Sequence, residues 1–374
     1  MEDSVPFDPK ISLIAITGGP CAGKSTFMAY ARQWLEDRGF CVGIIPEVAT
    51  EFINAGFTPW GSWADPLAFQ NHLLLYSLSR EARYFQFARE SSRDAHWVLL
   101  CDRGLLDPIA YVGRDQYVSV LERHGLDLHS LRERYKGVLH LVTAANGKEE
   151  FYTLANNTAR TETPEEARLL DQRTQAAWFG HQHLTIIDNT THFEVKIERA
   201  LTSLARVLNM PEPLEIERKF KVLNFIPGMI PHDAVRVDIE QDYLLTDKER
   251  GERRVRKRVL DGGASYYYTE KVDTGRLGER IERERQISLV EYDELLREKD
   301  PLARTIRKQR FCFAFSGRHL ELDYYSELES GPLVILEVEV RDINEVITLP
   351  EGWLVEDVTS EKRFKNREIA FGSL

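Results

Sequence analysis

Ile11-Ser12-Leu13-Ile14-Ala15-Ile16-Thr17 runs straight into Gly18-Gly19-Pro20-Cys21-Ala22-Gly23-Lys24-Ser25-Thr26. The first seven residues are a continuous apolar run that reads as a buried strand. The next nine contain a complete G-x-x-x-x-G-K-[ST] loop, and Phe27 to Arg38 reads as a helix. Strand, glycine-rich loop and helix in that order make a phosphate cradle. The glycines let backbone N–H groups turn inward, and the helix N-terminus adds its dipole. In this reading Gly18 to Thr26 wrap a nucleotide's phosphates. Lys24 reaches the β- and γ-phosphates, and Ser25 holds Mg²⁺ through its hydroxyl.

Working outward, four further apolar runs follow in the first half: Cys41–Pro46, Trp97–Cys101, Val138–Val142 and Leu184–Ile187. Helical stretches such as Pro66 to Arg89 separate them, the pattern of a parallel sheet covered on both faces. Phe193 to Leu208 closes this half as an amphipathic helix, with Phe193, Val195, Ile197, Ala200, Leu201 and Leu204 predicted on its apolar face. Asn209-Met210-Pro211-Glu212-Pro213 then breaks the helix and reads as the boundary between domains 1–209 and 210–374.

Beyond Leu214 the period changes to two. Leu214–Val222, Ala234–Leu244, Arg253–Leu260, Ser265–Val272, Arg280–Leu289, Thr305–Phe313, His319–Tyr325 and Leu333–Val340 all alternate. Eight such strands predict an antiparallel sheet closing towards a barrel, with helical interruptions at Val290–Lys299 and near Asn344. The expected fold class is an α/β P-loop domain followed by an α+β eight-stranded tunnel.

Composition fits this two-domain plan. The 374 residues are 43% hydrophobic and 29% charged, and the net charge of −11 argues against general nucleic-acid binding. Four scattered cysteines carry no paired metal-ligand spacing. No secretory signal is visible after Met1, and no apolar run approaches the ~18–20 residues of a transmembrane span. The expectation is a soluble, cytoplasmic protein with no transmembrane segment.

In the first half Asp102 ends the strand Trp97–Cys101, where a carboxylate either holds the Mg²⁺ water shell opposite Ser25 or caps the next segment. Glu47 ends the second strand at the ligand-binding edge, or sits in a solvated loop. Arg160, Arg168 and Arg173 fall in a polar stretch suited to a lid, Arg160 being the strongest candidate for the phosphates. Asp188 and Asn189 end the last strand, where a base pocket lies. No Asn-Lys-x-Asp box specifies guanine, so ATP and GTP both remain open. Several ordered blocks resemble the NadR/translocation-defect-type (AAA_28-like) P-loop NTPase family. They are Gly18 to Ser25, Cys101-Asp102-Arg103-Gly104, Val142 to Gly147, Thr158 to Glu162, Ala177 to His181 and Ile187-Asp188-Asn189. The resemblance covers residues 10–208. It implies a kinase-like nucleotide-binding fold, in branches that include small-molecule kinases and a GTP- and phosphoinositide-binding trafficking regulator.

In the second half alternation puts Glu215, Glu217 and Lys219 on one strand face. Paired carboxylates suit a hard divalent cation and a lysine suits phosphate. The same arrangement recurs in Arg254 and Arg256, Lys271, Glu282 and Glu284, Lys308 and Arg310, and Glu337 and Glu339. A single such strand reads equally well as a solvent-facing stripe. Segregation of sign between strands instead points to a wet, charged interior. This pattern resembles the CYTH, or triphosphate tunnel metalloenzyme, superfamily, over residues 214–374. The resemblance implies Mg²⁺ or Mn²⁺ held by Glu215, Glu217, Glu337 and Glu339, with Asp323 near them and Glu282 and Glu284 as further metal positions. It implies triphosphate held by Lys219, Arg254, Arg256, Lys271, Lys308 and Arg310. Glu217 or Glu339 would position the attacking water, with Lys219 beside them. The expected function is metal-dependent hydrolysis of an inorganic or organic triphosphate, joined to ATP or GTP binding. A phosphoinositide-binding regulator without turnover and an adenylate cyclase are the alternatives.

Overall fold

Seven consecutive buried residues form β1 (Ile11–Thr17), which has no face left for water and is therefore flanked by strands on both edges. The structure, a computed structural model, describes residues 8–61, 64–91, 95–152, 162–210, 216–246, 251–273, 280–340 and 344–372. Contacts divide the chain into two units, Met1–Leu208 and Asn209–Leu374.

In the first unit β1 is followed by α1 (Lys24–Glu36), β2 (Cys41–Ile45), α2 (Val48–Asn54), α3 (Pro66–Ser91) and β3 (Trp97–Asp102). Three short helices, α4 (Ile109–Val112), α5 (Arg114–Arg123) and α6 (Leu128–Glu133), lead to β4 (Gly137–Leu141). The unit ends with α7 (Pro164–Ala177), β5 (Leu184–Ile187) and α8 (Phe193–Val207). The five strands are parallel in the order β2-β3-β1-β4-β5. From β1 the chain runs to the edge strand β2, returns to place β3 between the two, and then crosses to the other side. The strand order therefore switches at β1, whose carboxyl end opens into a crevice.

The apolar face of α8 differs from the sequence expectation. Ile197, Ala200 and Leu204 are buried as expected, but Phe193 and Val195 are exposed and Lys196 is buried in their place. Phe193 leaves the core because it packs across Gly23 of the phosphate loop, where a Cβ on Gly23 would lie 2.9 Å from its ring.

The second unit contains β6 (Ile216–Val222), β7 (Val235–Tyr243), β8 (Glu252–Leu260), β9 (Gly263–Asp273), β10 (Arg280–Ile287), α9 (Leu289–Leu296), β11 (Ile306–Phe315), β12 (Arg318–Tyr325), β13 (Leu333–Val340), β14 (Val355–Asp357) and α10 (Asn366–Ala370). Nine strands, one more than expected, form an antiparallel sheet in the order β10-β9-β8-β7-β11-β12-β13-β6-β14. The added strand β14 escapes a period-two reading because it is only three residues long. Among the described residues no ladder joins β10 to β14, so hydrogen bonding leaves the sheet open. The helix expected at Val290–Lys299 forms as α9, whereas residues 344–354 carry no helix.

One face of β6, β11, β12 and β13 is apolar. Phe220, Val222, Phe313, Leu320, Leu322, Val334, Leu336, Val338 and Val340 pack there beneath Phe225, Met229, Ile230, Ile347, Leu349 and Trp353. The stretches 223–234 and 344–355 thus cover the outer face, and strict alternation delivers the charged residues to the other one.

Gly104 is closely packed in the first unit. A Cβ there would lie 2.3 Å from Trp178 Cζ2 and 3.1 Å from Ala15 Cβ, and Trp178 is fully buried with its Nε1 donating to Asp107 Oδ1 at 2.8 Å. Gly104→Ala is expected to cost about 1–3 kcal/mol and to lower the melting temperature by on the order of 5 °C. Circular dichroism melting against wild type checks this.

Candidate functional site

The phosphate loop is built by strain relieved from below. Gly18 adopts φ 136°, Cys21 55° and Gly23 86°, and a Cβ on Gly18 would lie 2.0 Å from Leu141 O. Four side chains brace the loop. Arg103 donates to Gly18 O at 2.7 Å while pairing with Glu47 at 3.0 Å and Asp107 at 3.4 Å. Asp171, from α7, accepts from Gly19 N and, at 3.2 Å, from Thr143 N. Thr143 donates to Pro20 O. Lys196, from α8, donates to Ala22 O at 3.1 Å and Val142 O at 2.8 Å.

Lys24 folds back on the loop, donating to Gly18 O and Gly19 O, each at 3.1 Å. Burial, followed by the neighbouring Arg103, lowers its pKa to about 8. An ammonium so placed is short of compensating negative charge, which phosphate oxygens supply.

The loop opens into a cavity of about 1180 Å³ lined by Pro20 to Thr26, Glu47, Asp102, Arg103, Asn189 and Lys196, among others. Ser25 is exposed to it, and Asp102 ends β3 opposite. Asp102 Oδ1 is buried without a hydrogen-bond partner, and burial raises the carboxyl's pKa. A buried, unmatched carboxylate oxygen lining the same cavity as Ser25 fits the coordination shell of a divalent cation.

Other expected residues take structural roles. Glu47 is committed to Arg103 and Thr50 Oγ1. Asp188 is not in the cavity wall; it pairs with Arg199 at 2.7 Å. Asn189 reaches the wall, but its amide holds Thr143 O and Asn146 O and its carbonyl accepts from Lys196. Arg168 braces Ala145 O, and Arg173 is exposed on α7. Arg160 lies outside the described residues. Asp171 and Lys196 went unread in the sequence because each acts on a loop far away in the chain. The signal for Lys196 was a lysine inside an apolar helix pattern.

In the second unit the inner face carries charge sorted by strand. Arg254, Arg256 and Arg258 stand on β8 and Lys308 and Arg310 on β11. Glu321 and Asp323 of β12, Glu337 and Glu339 of β13 and Glu217 of β6 flank them on one side. Glu284 of β10 lies on the other. Register sets these rows: Lys219 opposes Glu337 and Glu217 opposes Glu339, while Glu337 opposes Glu321 and Arg310 opposes Asp323.

Arg310 is gripped by three carboxylates. Its Nε and Nη2 reach the two oxygens of Asp323 at 2.7 Å each, Nη2 meets Glu337 at 2.5 Å, and Nη1 meets Glu321. Lys308 also pairs with Asp323, which is wholly buried. Asp323 therefore serves as the internal counter-charge of two bases. Lys219 pairs with Glu337, and with Glu217 at 3.1 Å.

Arg256 is differently placed, 3.4 Å from Gln241 Oε1 and 3.9 Å from Glu284. Burial and the adjacent Arg254 lower its pKa. Glu284 is buried and accepts from Thr269 Oγ1 at 2.8 Å. Glu217 keeps a solvent-open edge, with a side chain 40% exposed. Burial and the Glu337 carboxylate beside it push its pKa up to about 7, while Lys219 and Arg310 hold Glu337 well below the carboxylate range. Two carboxyls crowded into opposite protonation preferences fit a divalent cation, which neutralises both. Glu339 is exposed at the rim. Glu215 lies outside the described residues, as do the side chains of Lys271 and Glu282.

Comparison with known proteins divides the same way. A family profile described as an AAA domain matches residues 13–196, so the first unit carries a P-loop-type AAA domain. An inorganic triphosphatase of Nitrosomonas europaea is 33% identical over 159 residues, spanning 42% of this chain and 96% of the relative. By that match the chain belongs to the family of this triphosphatase. Among solved structures, one of an inorganic triphosphatase is 30% identical, with a TM-score of 0.32, covering 42% of this chain and 95% of that one. A Pyrococcus horikoshii OT3 protein is 22% identical, with a TM-score of 0.26, covering 35% of this chain and 81% of that one. Among the described residues no helix is long and apolar enough to cross a membrane.

The Asp188–Arg199 pair yields a pH prediction. Although burial opposes it, the hydrogen bonds from Arg199 and Thr190 bring the Asp188 pKa down to about 2 from an ordinary 3.8. A depressed carboxyl stabilises the fold fully above its ordinary value and loses that contribution as pH falls through about 2. Asp188→Asn is expected to cost about 1–2 kcal/mol at pH 7 after allowance for solvent screening. The difference from wild type should shrink below pH 4, by denaturant titration at stepped pH.

Proposed function

We propose that the second unit hydrolyses a triphosphate, with the first unit binding ATP or GTP. The observation that carries this reading is the sorted inner face. Arg254, Arg256, Lys308 and Arg310 face Glu217, Glu337 and Glu339 across a sheet whose outer side is apolar. The Nitrosomonas relative's description as an inorganic triphosphatase supports the same substrate class.

In this reading the β8 and β11 bases, with Lys219, bind the phosphate oxygens and displace carboxylates that neutralise them at rest. Glu217, Glu337 and Glu339, with Glu215, would hold Mg²⁺ or Mn²⁺. The ion would supply charge neutralisation at the phosphoryl oxygens. Glu217 and Glu339, opposed across β6 and β13, orient a water towards the terminal phosphorus. The water's oxygen bonds to that phosphorus, the bridging P–O bond breaks, and diphosphate leaves with its electron pair. One of these two carboxylates accepts the water's proton.

Phosphate release from inorganic triphosphate tests the proposal. Glu217→Gln and Arg256→Ala are each expected to lower kcat/KM by about 100-fold or more, and chelation of divalent metal should abolish turnover. Wild-type protein that binds triphosphate without turning it over would instead favour a phosphate-binding regulator.

In the first unit Lys24→Ala should weaken ATP and GTP binding by on the order of 100-fold. Asp102→Asn should remove most of the Mg²⁺ dependence of that affinity. Titration calorimetry with both nucleotides, with and without Mg²⁺, measures both effects. Nucleotide affinity unchanged in Lys24→Ala would remove the P-loop assignment.

A further inference from the structure

Cys312, His319 and Glu321 lie together on the inner face of β11 and β12, next to the carboxylates assigned above to Mg²⁺ or Mn²⁺, with Glu321 directly opposite Glu337. Cys312 opposes Glu321 directly in the antiparallel register, and His319, two residues before Glu321, falls on the same face. One donor atom from each lies within 4.8 Å of the other two. Among the described residues this is the only gathered set of three such donors. Cys312 is 1% exposed, while His319 and Glu321 are half-buried, so the set is protected on one side and reachable from the other.

The donor chemistry differs from that of the proposed catalytic cation. A thiol, an imidazole and one carboxylate match a borderline divalent ion such as Zn²⁺ or Co²⁺, whereas Mg²⁺ takes oxygen donors. We propose that Cys312, His319 and Glu321 form a transition-metal site, a three-donor seat for Zn²⁺-type ions with a fourth position open to water or a phosphate oxygen. Binding replaces the Cys312 proton, so one proton leaves per ion, and thiolate plus carboxylate balance the metal's two charges. The antiparallel ladder fixes the backbones of β11 and β12, so assembly needs side-chain adjustment only.

The site meets the proposed phosphate grip through Glu321, which Arg310 Nη1 also engages. A metal that draws Glu321 towards Cys312 removes one of Arg310's three carboxylate partners. Occupancy thereby changes how firmly Arg310 is held in the absence of phosphate. The existence of the site does not rest on the triphosphatase reading, and its test uses absorbance and not turnover.

The experiment titrates Co²⁺ into the full chain and follows the thiolate-to-cobalt charge-transfer band in the near ultraviolet. One equivalent is expected to develop the band, Zn²⁺ to erase it, and excess Mg²⁺ to leave it in place. Cys312→Ser should lose the band, and His319→Gln should weaken Co²⁺ binding by about 10- to 100-fold. Far-UV circular dichroism establishes that each variant is folded; if Cys312→Ser is not, His319→Gln alone decides. No band in wild type, the same band in folded Cys312→Ser, or unchanged affinity in His319→Gln would each overturn the site.

Discussion

The guanidinium of Arg310, held at once by Glu321, Asp323 and Glu337, is the contact on which the second unit's inner face depends. It ties β11 to β12 and, across β12, to β13. Asp323, fully buried, survives there only because Arg310 and Lys308 surround its two oxygens. Removing either side of such a buried pair leaves an uncompensated charge, a loss of about 3–5 kcal/mol. The face is therefore one connected lattice in which a change at one base is felt at several acids. Farther along the sheet, Arg254, Arg256 and Arg258 stand close together, where their mutual repulsion prepares them for an anion.

The first unit solves the same problem of concentrated positive charge by different means. Its phosphate loop gets its shape from β1 and its glycines, but its position from Arg103, Thr143, Asp171 and Lys196, spread along nearly a hundred residues of chain. Two of these, Asp171 and Lys196, arrive on helices, α7 and α8, that complete the parallel layer. The helices that cover the sheet thus also fix the loop, which links the packing of the domain directly to the geometry of its phosphate cradle.

Much of this was legible in the sequence because the relevant signals are local. The five parallel strands announced themselves as short apolar runs, and the eight longer antiparallel strands as alternation. Lys24, Ser25 and Asp102 could be placed because a motif or a strand end defines its own direction. The charged face could be anticipated because period two puts Glu217 with Lys219, and Lys308 with Arg310. What escaped depended on long-range pairing. No local pattern reveals that Asp171 accepts from Gly19, that Asp188 turns to Arg199 and away from the cavity, or that Asp323 is enclosed by two bases. Phe193 misled for the same reason: helical period placed it in the core, while Gly23 offered it a closer partner. β14 was missed because three residues carry too little periodicity to count.

The arginine row on β8 has an evolutionary corollary. A strand that keeps Arg254, Arg256 and Arg258 largely out of water forgoes stability that apolar side chains of similar volume would provide. Replacement of the row, with its acidic partners, by apolar side chains of similar volume should make the unit sturdier. Persistence of these arginines in a lineage is then maintained against the drift towards stability, and their loss is the first mark to look for in a descendant that has kept this sheet for another use.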